Sequence, residues 1–260
     1  MNKLIARIAN RLGFQPIQKR SFAGAAINRL TNDWLSPISS ADQEIRSSLS
    51  RLRSRCRELE RNNDYVRRYL EGLSSNVIGP NGIGLQMKVT ENGGRPDAIA
   101  NDLIEKAWKE WSRAKNCSIN GKFTWLDIQR LALRSTARDG DCMIRMIRNN
   151  GGFKLQLLEG DRLDINYNVE KISNGNEVRM GDELDKFGSP VAYHLLDKHP
   201  ADVSNVNARR ERIPANQCLH PFISDRIAQT RGYPWMVSAM TRLQMLGAYE
   251  EAEITSARIS

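Results

Sequence analysis

Five carboxylates, Asp139, Asp141, Glu159, Asp161 and Asp164, are the residues whose type and spacing could do chemistry. Acids gathered in one place hold magnesium, and magnesium drives phosphoryl transfer. Asp139 and Asp141 precede the apolar run Cys142 to Ile147, and Glu159 and Asp161 follow the alternating Phe153, Leu155 and Leu157. With the turn Asn149-Asn150-Gly151-Gly152 between them, the two runs read as a β-hairpin whose antiparallel pairing brings the acid-bearing ends together. Asp-Gly-Asp and Glu-Gly-Asp are also turn sequences, since both residue types favour turn geometry. Turn chemistry is therefore the preferred reading, with a metal-dependent phosphodiesterase as the lesser alternative.

Other catalytic arrangements are not supported. There is no G-x-x-x-x-G-K-[ST] phosphate loop, and Gly79, Gly82 and Gly84 follow a helical pattern where a dinucleotide fingerprint needs a preceding strand. His194, His199 and His220 show neither H-E-x-x-H nor H-x-E spacing, so each is read as structural. Cys56, Cys117, Cys142 and Cys218 form no C-x-x-C pair and are expected to be free, mostly buried thiols. Trp108, Trp111, Trp125 and Trp235, like Met236, Met240 and Met245, fit core packing better than base stacking or a ligand groove. No cofactor, no metal and no enzymatic activity are expected.

The charge is more informative. The 260-residue chain carries a formal net charge of +9, which favours a polyanionic neighbour, either nucleic acid or an acidic protein surface. Arginines crowd at positions 46, 51, 53, 55, 57, 61, 67 and 68, whereas Glu159 to Asp185 is locally acidic. Arg51, Arg53, Arg55 and Arg57 are the candidate contacts to nucleic acid or to a neighbouring subunit, the plain alternative being the solvated face of a helix. The basic opening stretch lacks an apolar signal core and no run of eighteen apolar residues occurs, so residence in the cytoplasm without a membrane span is expected.

The elements that must position these groups follow from periodicity. Residues 1–38 mix basic residues with glycine and proline and read as an arm. Over 39–84, Ile45, Leu49, Leu52, Cys56, Leu59, Asn63, Val66, Leu70, Leu73 and Val77 mark one seam of a long helix. Ser40 caps it, a kink falls near Arg61 to Asn63, and Gly79-Pro80 stops it. Leu85 to Val89 reads as a strand. A helix opened by Pro96 and Asp97 carries a buried stripe of Ile104, Ala107, Trp108 and Trp111, and a second is capped by Thr124 with Asp127, Phe123 stapling onto Ile128. After the hairpin come short strands near Glu177 to Met180 and Val191 to Leu196. From Pro234-Trp235 a helix with Met236, Met240, Leu243, Leu246 and Tyr249 on one face runs uncapped to Ser260, so a partial chain is expected.

Five collinear stretches resemble the lambda-type family of phage portal proteins: Leu52 to Gln86 with its arginine-rich helix and R-N-N-x-Y segment; Ile104 to Met146 with spaced tryptophans and a D-G-D turn; LQLLEGDRLD from Leu155; Gly188 to His194; and His220 to Leu246 with Gln229-Thr230-Arg231-Gly232 before a helix. The resemblance implies an α+β, portal-type fold in which long helices carry a mixed α+β wing built on antiparallel strands. On it, residues 85–230 are wing-like and 231–260 begin a helical body. It implies a structural, non-catalytic subunit that forms a dodecameric ring at one capsid vertex, made in the host cytoplasm and ending in the virion. Its partners would be copies of itself, duplex DNA in the channel, the terminase packaging motor, and capsid and head-completion proteins. Complete members of the family run well beyond this length, and closed rings are not expected of this chain alone. A free-standing basic nucleic-acid-binding protein is the alternative.

Overall fold

A computed structural model describes residues 38–149, 152–202 and 208–259, with isolated positions 29, 33 and 36. The arm expected over 1–38 lies almost wholly outside the described residues. Residues Ser40–Ser260 form one compact unit, distinct from Met1–Ser39.

Helix α1 spans Ala41–Asn62; Ser40 Oγ accepts from the Gln43 amide at 3.2 Å, and Asp42 and Glu44 sit in the first turn, where the helix dipole favours acids. The expected kink is a clean break. Asn63 leaves helical geometry, and its side chain caps α2 (Asp64–Leu73) by accepting from the Val66 amide at 3.1 Å. The same side chain donates to Leu243 O, tying the break to the last helix. The seam Ile45, Leu49, Cys56, Leu59, Val66 and Leu70 is buried as expected, but Val77 is not. A π-helical turn over Ser74–Ile78 inserts extra backbone, rotating Val77 outward and Ile78 inward before Gly79 stops the helix at φ 75°.

Two expectations for the next segment fail. Leu85 to Val89 is not a strand: it is extended backbone held by side chains of α3 (Ala98–Trp111), with the Met87 amide donating to Glu105 Oε1 and the Val89 amide to Asn101 Oδ1. The stripe on α3 is not buried either. Trp108 and Trp111 are half-buried, whereas Ile104, Leu103 and Ile99 are exposed, because the first half of the helix meets the 85–89 segment through polar Asn101 and Glu105 and not through its apolar residues. A short helix, α4 (Ala114–Cys117), leads to α5 (Trp125–Asp139), whose capping box between Thr124 and Asp127 is complete. Phe123 packs in the same cluster as Ile128.

The hairpin forms as expected: β1 (Cys142–Asn149) pairs antiparallel with β2 (Gly152–Glu159), with Cys142 opposite Glu159. Strands β3 (Glu177–Arg179), β4 (Asp182–Leu184), β5 (Pro190–Leu196) and β6 (Arg210–Pro214) make a second antiparallel sheet in that order. Strand β7 (Cys218–Leu219) adds to β1, and α6 (Met240–Ile259) ends the chain. Helix α6 starts five residues later than expected from Pro234-Trp235, since residues 235–239 are turns, and Leu246 and Tyr249 are exposed.

Alternation along β1 builds two cores. Cys142 and Ile144 pack with Cys117, Ile128 and Leu155 under Trp111 and Trp125, while Met143 packs with Leu163 and with Tyr193, Leu195 and Ile213 of the second sheet. A third core joins Cys56, Leu59, Val66 and Leu70 to Ala137, Met236 and Met240. Trp111 stacks on Phe153 at 5.8 Å and donates to its carbonyl, so Trp108, Trp111 and Trp125 are packing residues. All four cysteines are free and buried. This is a mixed α+β architecture of long helices and antiparallel sheets, and among the described residues no helix is long and apolar enough to cross a membrane.

Candidate functional site

Four of the five singled-out carboxylates converge, as the hairpin requires, but they meet arginines. Asp139 ends α5, Asp141 precedes β1, and Glu159 and Asp161 end and follow β2. Against them lies the face of α1 that carries Arg53 and Arg57. Tracing ion pairs from the surface inward gives Arg134 to Glu60 (2.6 Å), Glu60 to Arg138 (2.9 Å), Arg138 to Asp139 (2.6 Å), Asp139 to Arg57 (2.8 Å) and Arg57 to Asp161 (2.5 Å). The path continues from Asp161 to Arg53 (3.6 Å), Arg53 to Asp141, and Asp141 to Arg231 (2.6 Å). Charges alternate without interruption along this chain of guanidiniums and carboxylates.

Its inner end is the most buried. Arg231 and Asp141 are both fully buried, and Arg231 also donates to the carbonyls of Leu163, Met180 and Gly160. Arg53 Nε donates to Asp139 O, and His220 Nε2 lies 3.2 Å from Asp141 Oδ2. One arginine thus binds the end of the first hairpin, the loop after it and the β3–β4 turn together, and fixes them to α1 through Asp141. Burial alone would push the Asp141 carboxyl up, but the Arg231 and Arg53 guanidiniums and the His220 hydrogen bond hold it well below the usual range. Burial is likewise outweighed at Asp161, by Arg53 and Arg57, and at Glu60, by Arg138 and Arg134.

The backbone is equally tight here. Gly140, at φ 93°, and Gly232 pack face to face: a β-carbon on Gly232 would stand 2.0 Å from Gly140 O, and one on Gly140 would stand 2.4 Å from the Tyr233 backbone. Three of the sequence stretches singled out above, Asp139-Gly140-Asp141, Glu159-Gly160-Asp161 and Gln229-Thr230-Arg231-Gly232, therefore meet at one junction on α1.

At the rim of the junction Glu159, Asp161 and His199 lie close enough to share a metal ion. Arg57 already stands against Asp161 at 2.5 Å, so a cation there would compete with a guanidinium. His199 Nδ1 accepts from the Ala201 amide, and its buried Nε2, 3.2 Å from Glu159 Oε2, makes no hydrogen bond among the described residues. Asp164 stays apart, paired with Arg210, which lies over the Tyr167 ring. His194 and His220 serve buried polar contacts to Glu183 and Asp141.

Of the four candidate arginines, the structure brings Arg53 and Arg57 into the junction and leaves Arg51 and Arg55 exposed. At about 100° of rotation per residue, positions two apart point to nearly opposite sides of a helix. Sequence reading missed Arg231, Arg138, Arg134 and Glu60. Arg53 follows Leu49 by four and precedes Cys56 by three, which is the helical signal that it shares their buried face.

Residues 28–260 match the profile of the phage portal protein, lambda family. The chain is 36% identical over 250 residues to the probable portal protein of Halomonas phage phiHAP-1, covering 94% of this chain and 48% of that protein. It is 22% identical over 241 residues to the portal protein of Escherichia phage N15, covering 86% of this chain and 44% of that protein. The chain thus spans about half the length of these relatives. With the match running across the helices, the hairpin and the arginine junction alike, this chain belongs to the lambda family of phage portal proteins.

Proposed function

We propose that the chain is the N-terminal part of a structural portal subunit, whose identical copies close a ring at one capsid vertex through which DNA is packaged and ejected. The carrying observation is the family match over residues 28–260. The arginine junction gives that reading a physical role: a subunit under mechanical load needs its helix, hairpin and wing-like sheet to move as one body. Alternating, mostly buried charges favour a single geometry, because removing any one member leaves its neighbours short of a partner. In this reading residues 85–230 form the wing and 231–260 begin the helical body. Closure follows from a heterologous contact repeated by rotation, and DNA passes by charge and shape without base reading. Arg51 and Arg55, like Arg46 and Arg61, are exposed on α1 and available for phosphates or a neighbour, and the terminase motor, capsid and head-completion proteins are the further partners.

Sedimentation velocity and negative-stain imaging of the purified chain test this. Concentration-dependent, head-to-tail association supports the portal reading. A strict monomer that binds duplex DNA at micromolar concentration with a steep salt slope would overturn it in favour of a free-standing nucleic-acid-binding protein.

A further inference from the structure

Residues 41–73 carry one helical seam yet form two helices, and a single residue separates them. Asn63 is extended, at φ −123° and ψ 118°, so the ladder bonds that would span it, from the amides of Asp64, Tyr65 and Val66, cannot form. The ladder resumes at once on either side: the Asn63 amide donates to Leu59 O at 2.8 Å and the Arg67 amide to Asn63 O at 3.1 Å. Two of the displaced amides find side chains instead, Tyr65 N donating to Asp64 Oδ1 at 3.0 Å and Val66 N to Asn63 Oδ1 at 3.1 Å. With three backbone bonds lost against two side-chain bonds gained, the local exchange runs against the break. Burial does not favour it either. Leu59, Asn63, Val66 and Leu70 recur at spacings of four, three and four, so a continuous helix would keep the same apolar side chains on one face.

The missing support comes from α6. Met240, Leu243, Gly247 and Glu250 recur on one face of that helix at spacings of three, four and three, and that face runs along the break. Cys56 Sγ lies 3.7 Å from Met240 Sδ, Asn63 Nδ2 donates to Leu243 O at 3.4 Å, and Tyr65 Oη donates to Glu250 Oε1 at 2.7 Å. Gly247 gives the clearance: the nearest atom to where its β-carbon would stand is Asn63 Nδ2, at 3.9 Å. Asn63 thus serves two helices with one amide, its oxygen capping α2 and its nitrogen holding α6.

The two halves of the seam are not anchored equally. Six side chains of α1 are buried, and Arg53 and Arg57 fix it to the junction, whereas α2 buries Val66 and Leu70. At its far end α2 runs into the π-helical turn Ser74–Ile78, a second departure from the α ladder. A short helix bracketed by two such departures and held by two buried side chains is the part that can turn.

We propose that Asn63 is a hinge whose state is set by α6. With α6 seated, Asn63 stays extended and the two helices stay separate; with α6 lifted, Asn63 turns helical and residues 41–73 close into one continuous helix. A displacement of α6 is thereby passed to α2 and its π turn, while α1 stays in the junction.

Spin labels on an Arg51→Cys and Tyr69→Cys background read the state of the full chain, since both positions are exposed and the four natural cysteines are buried. The labels are 18 residues apart, about five turns, so a continuous helix puts them on one face at about 27 Å. Pulsed electron resonance should give a main distance that departs from this value. Asn63→Ala removes cap and tie and improves helix propensity, and should raise the 27 Å population about tenfold. Gly247→Leu keeps Asn63 and its cap, favours α6 as a helix and drives a side chain into the contact; it should raise the same population by a smaller factor. Tyr65→Phe removes one exposed hydrogen bond without touching the core and should move the distribution the same way, about twofold. A distribution unmoved by Asn63→Ala, with helical content by circular dichroism retained, would overturn the hinge. A shift in Asn63→Ala with none in Gly247→Leu or Tyr65→Phe would show that the cap alone sets the break and would overturn the control by α6.

Discussion

Asp141 and Arg231 form a fully buried ion pair, with Arg231 Nε donating to Asp141 Oδ2 at 2.6 Å, at the point where the first hairpin, the second sheet and α1 meet. Asp141 also accepts from Arg53, so its loss strands two buried guanidiniums. Asp141→Asn or Arg231→Met should each cost about 3–5 kcal/mol, the range for breaking one side of a buried pair. The double variant should cost clearly less than the sum, because Arg231 and Asp141 no longer leave each other unpaired and only Arg53 still lacks Asp141. Thermal denaturation followed by circular dichroism closes this cycle, and strict additivity would show that the pair does not couple the elements.

Gly160 sits under the same carboxylate. A β-carbon there would stand 1.9 Å from Asp141 Oδ1 and 2.7 Å from an Arg53 guanidinium nitrogen. Gly160→Ala must push the ion pairs apart, and a loss of about 2 kcal/mol or more is expected. Gly72, on α2, has open space where its β-carbon would go. Gly72→Ala should therefore stabilise by up to about 1 kcal/mol, and chemical denaturation of the two variants side by side separates contact from propensity.

The arginines of α1 should divide by face. Arg51→Glu with Arg55→Glu should leave stability within about 0.5 kcal/mol per site, since both are exposed. Arg53→Met or Arg57→Met should unfold the unit at a markedly lower temperature, because Asp141, Asp139 and Asp161 lose partners. Melting temperatures in all four variants decide it. Equal losses at Arg51 and Arg53 would mean that the helix is rotated from the orientation described above.

What the sequence showed and what it hid divide along physical lines. The α1 seam, the Thr124–Asp127 capping box and the Cys142–Glu159 hairpin were legible because each is a local rule, periodicity, capping or turn chemistry, read within one continuous stretch of chain. The convergence of Asp139, Asp141 and Asp161 was legible for the same reason, since a hairpin fixes its own ends. Their partners were not: Arg53 and Arg231 are 88 and 90 residues from Asp141 along the chain, and the periodicity that puts Arg53 on the buried face of α1 does not say which carboxylate it meets there. Strands β4 and β6 were also missed. Asp-Glu-Leu and Arg-Glu-Arg-Ile-Pro carry the charge of loops, and their polar side chains are tolerated because Glu183 is held by Arg212 and β6 lies at a sheet edge.

Asp182 offers the last test, through pH. Burial raises its carboxyl to about 8; Arg231 opposes this, while Asp42 and Asp141 add to it, and Oδ1 has no hydrogen-bond partner. An acid whose folded pKa lies above its unfolded value binds more protons when folded, so stability falls as pH rises from about 4 to about 8. The depressed acids Asp141, Asp161 and Glu60 act in the opposite sense, contributing above pH 4 and losing that contribution as pH drops through their lowered values. Asp182→Asn should therefore match the parent near pH 4 and exceed it increasingly towards pH 8. The gain should reach a few kcal/mol, since each tenfold difference in proton affinity between the folded and unfolded chain is worth about 1.4 kcal/mol. Denaturant midpoints at pH 4, 6 and 8 measure the divergence. Parallel curves would show that Asp182 is ionised in the folded protein and that Arg231 serves two carboxylates.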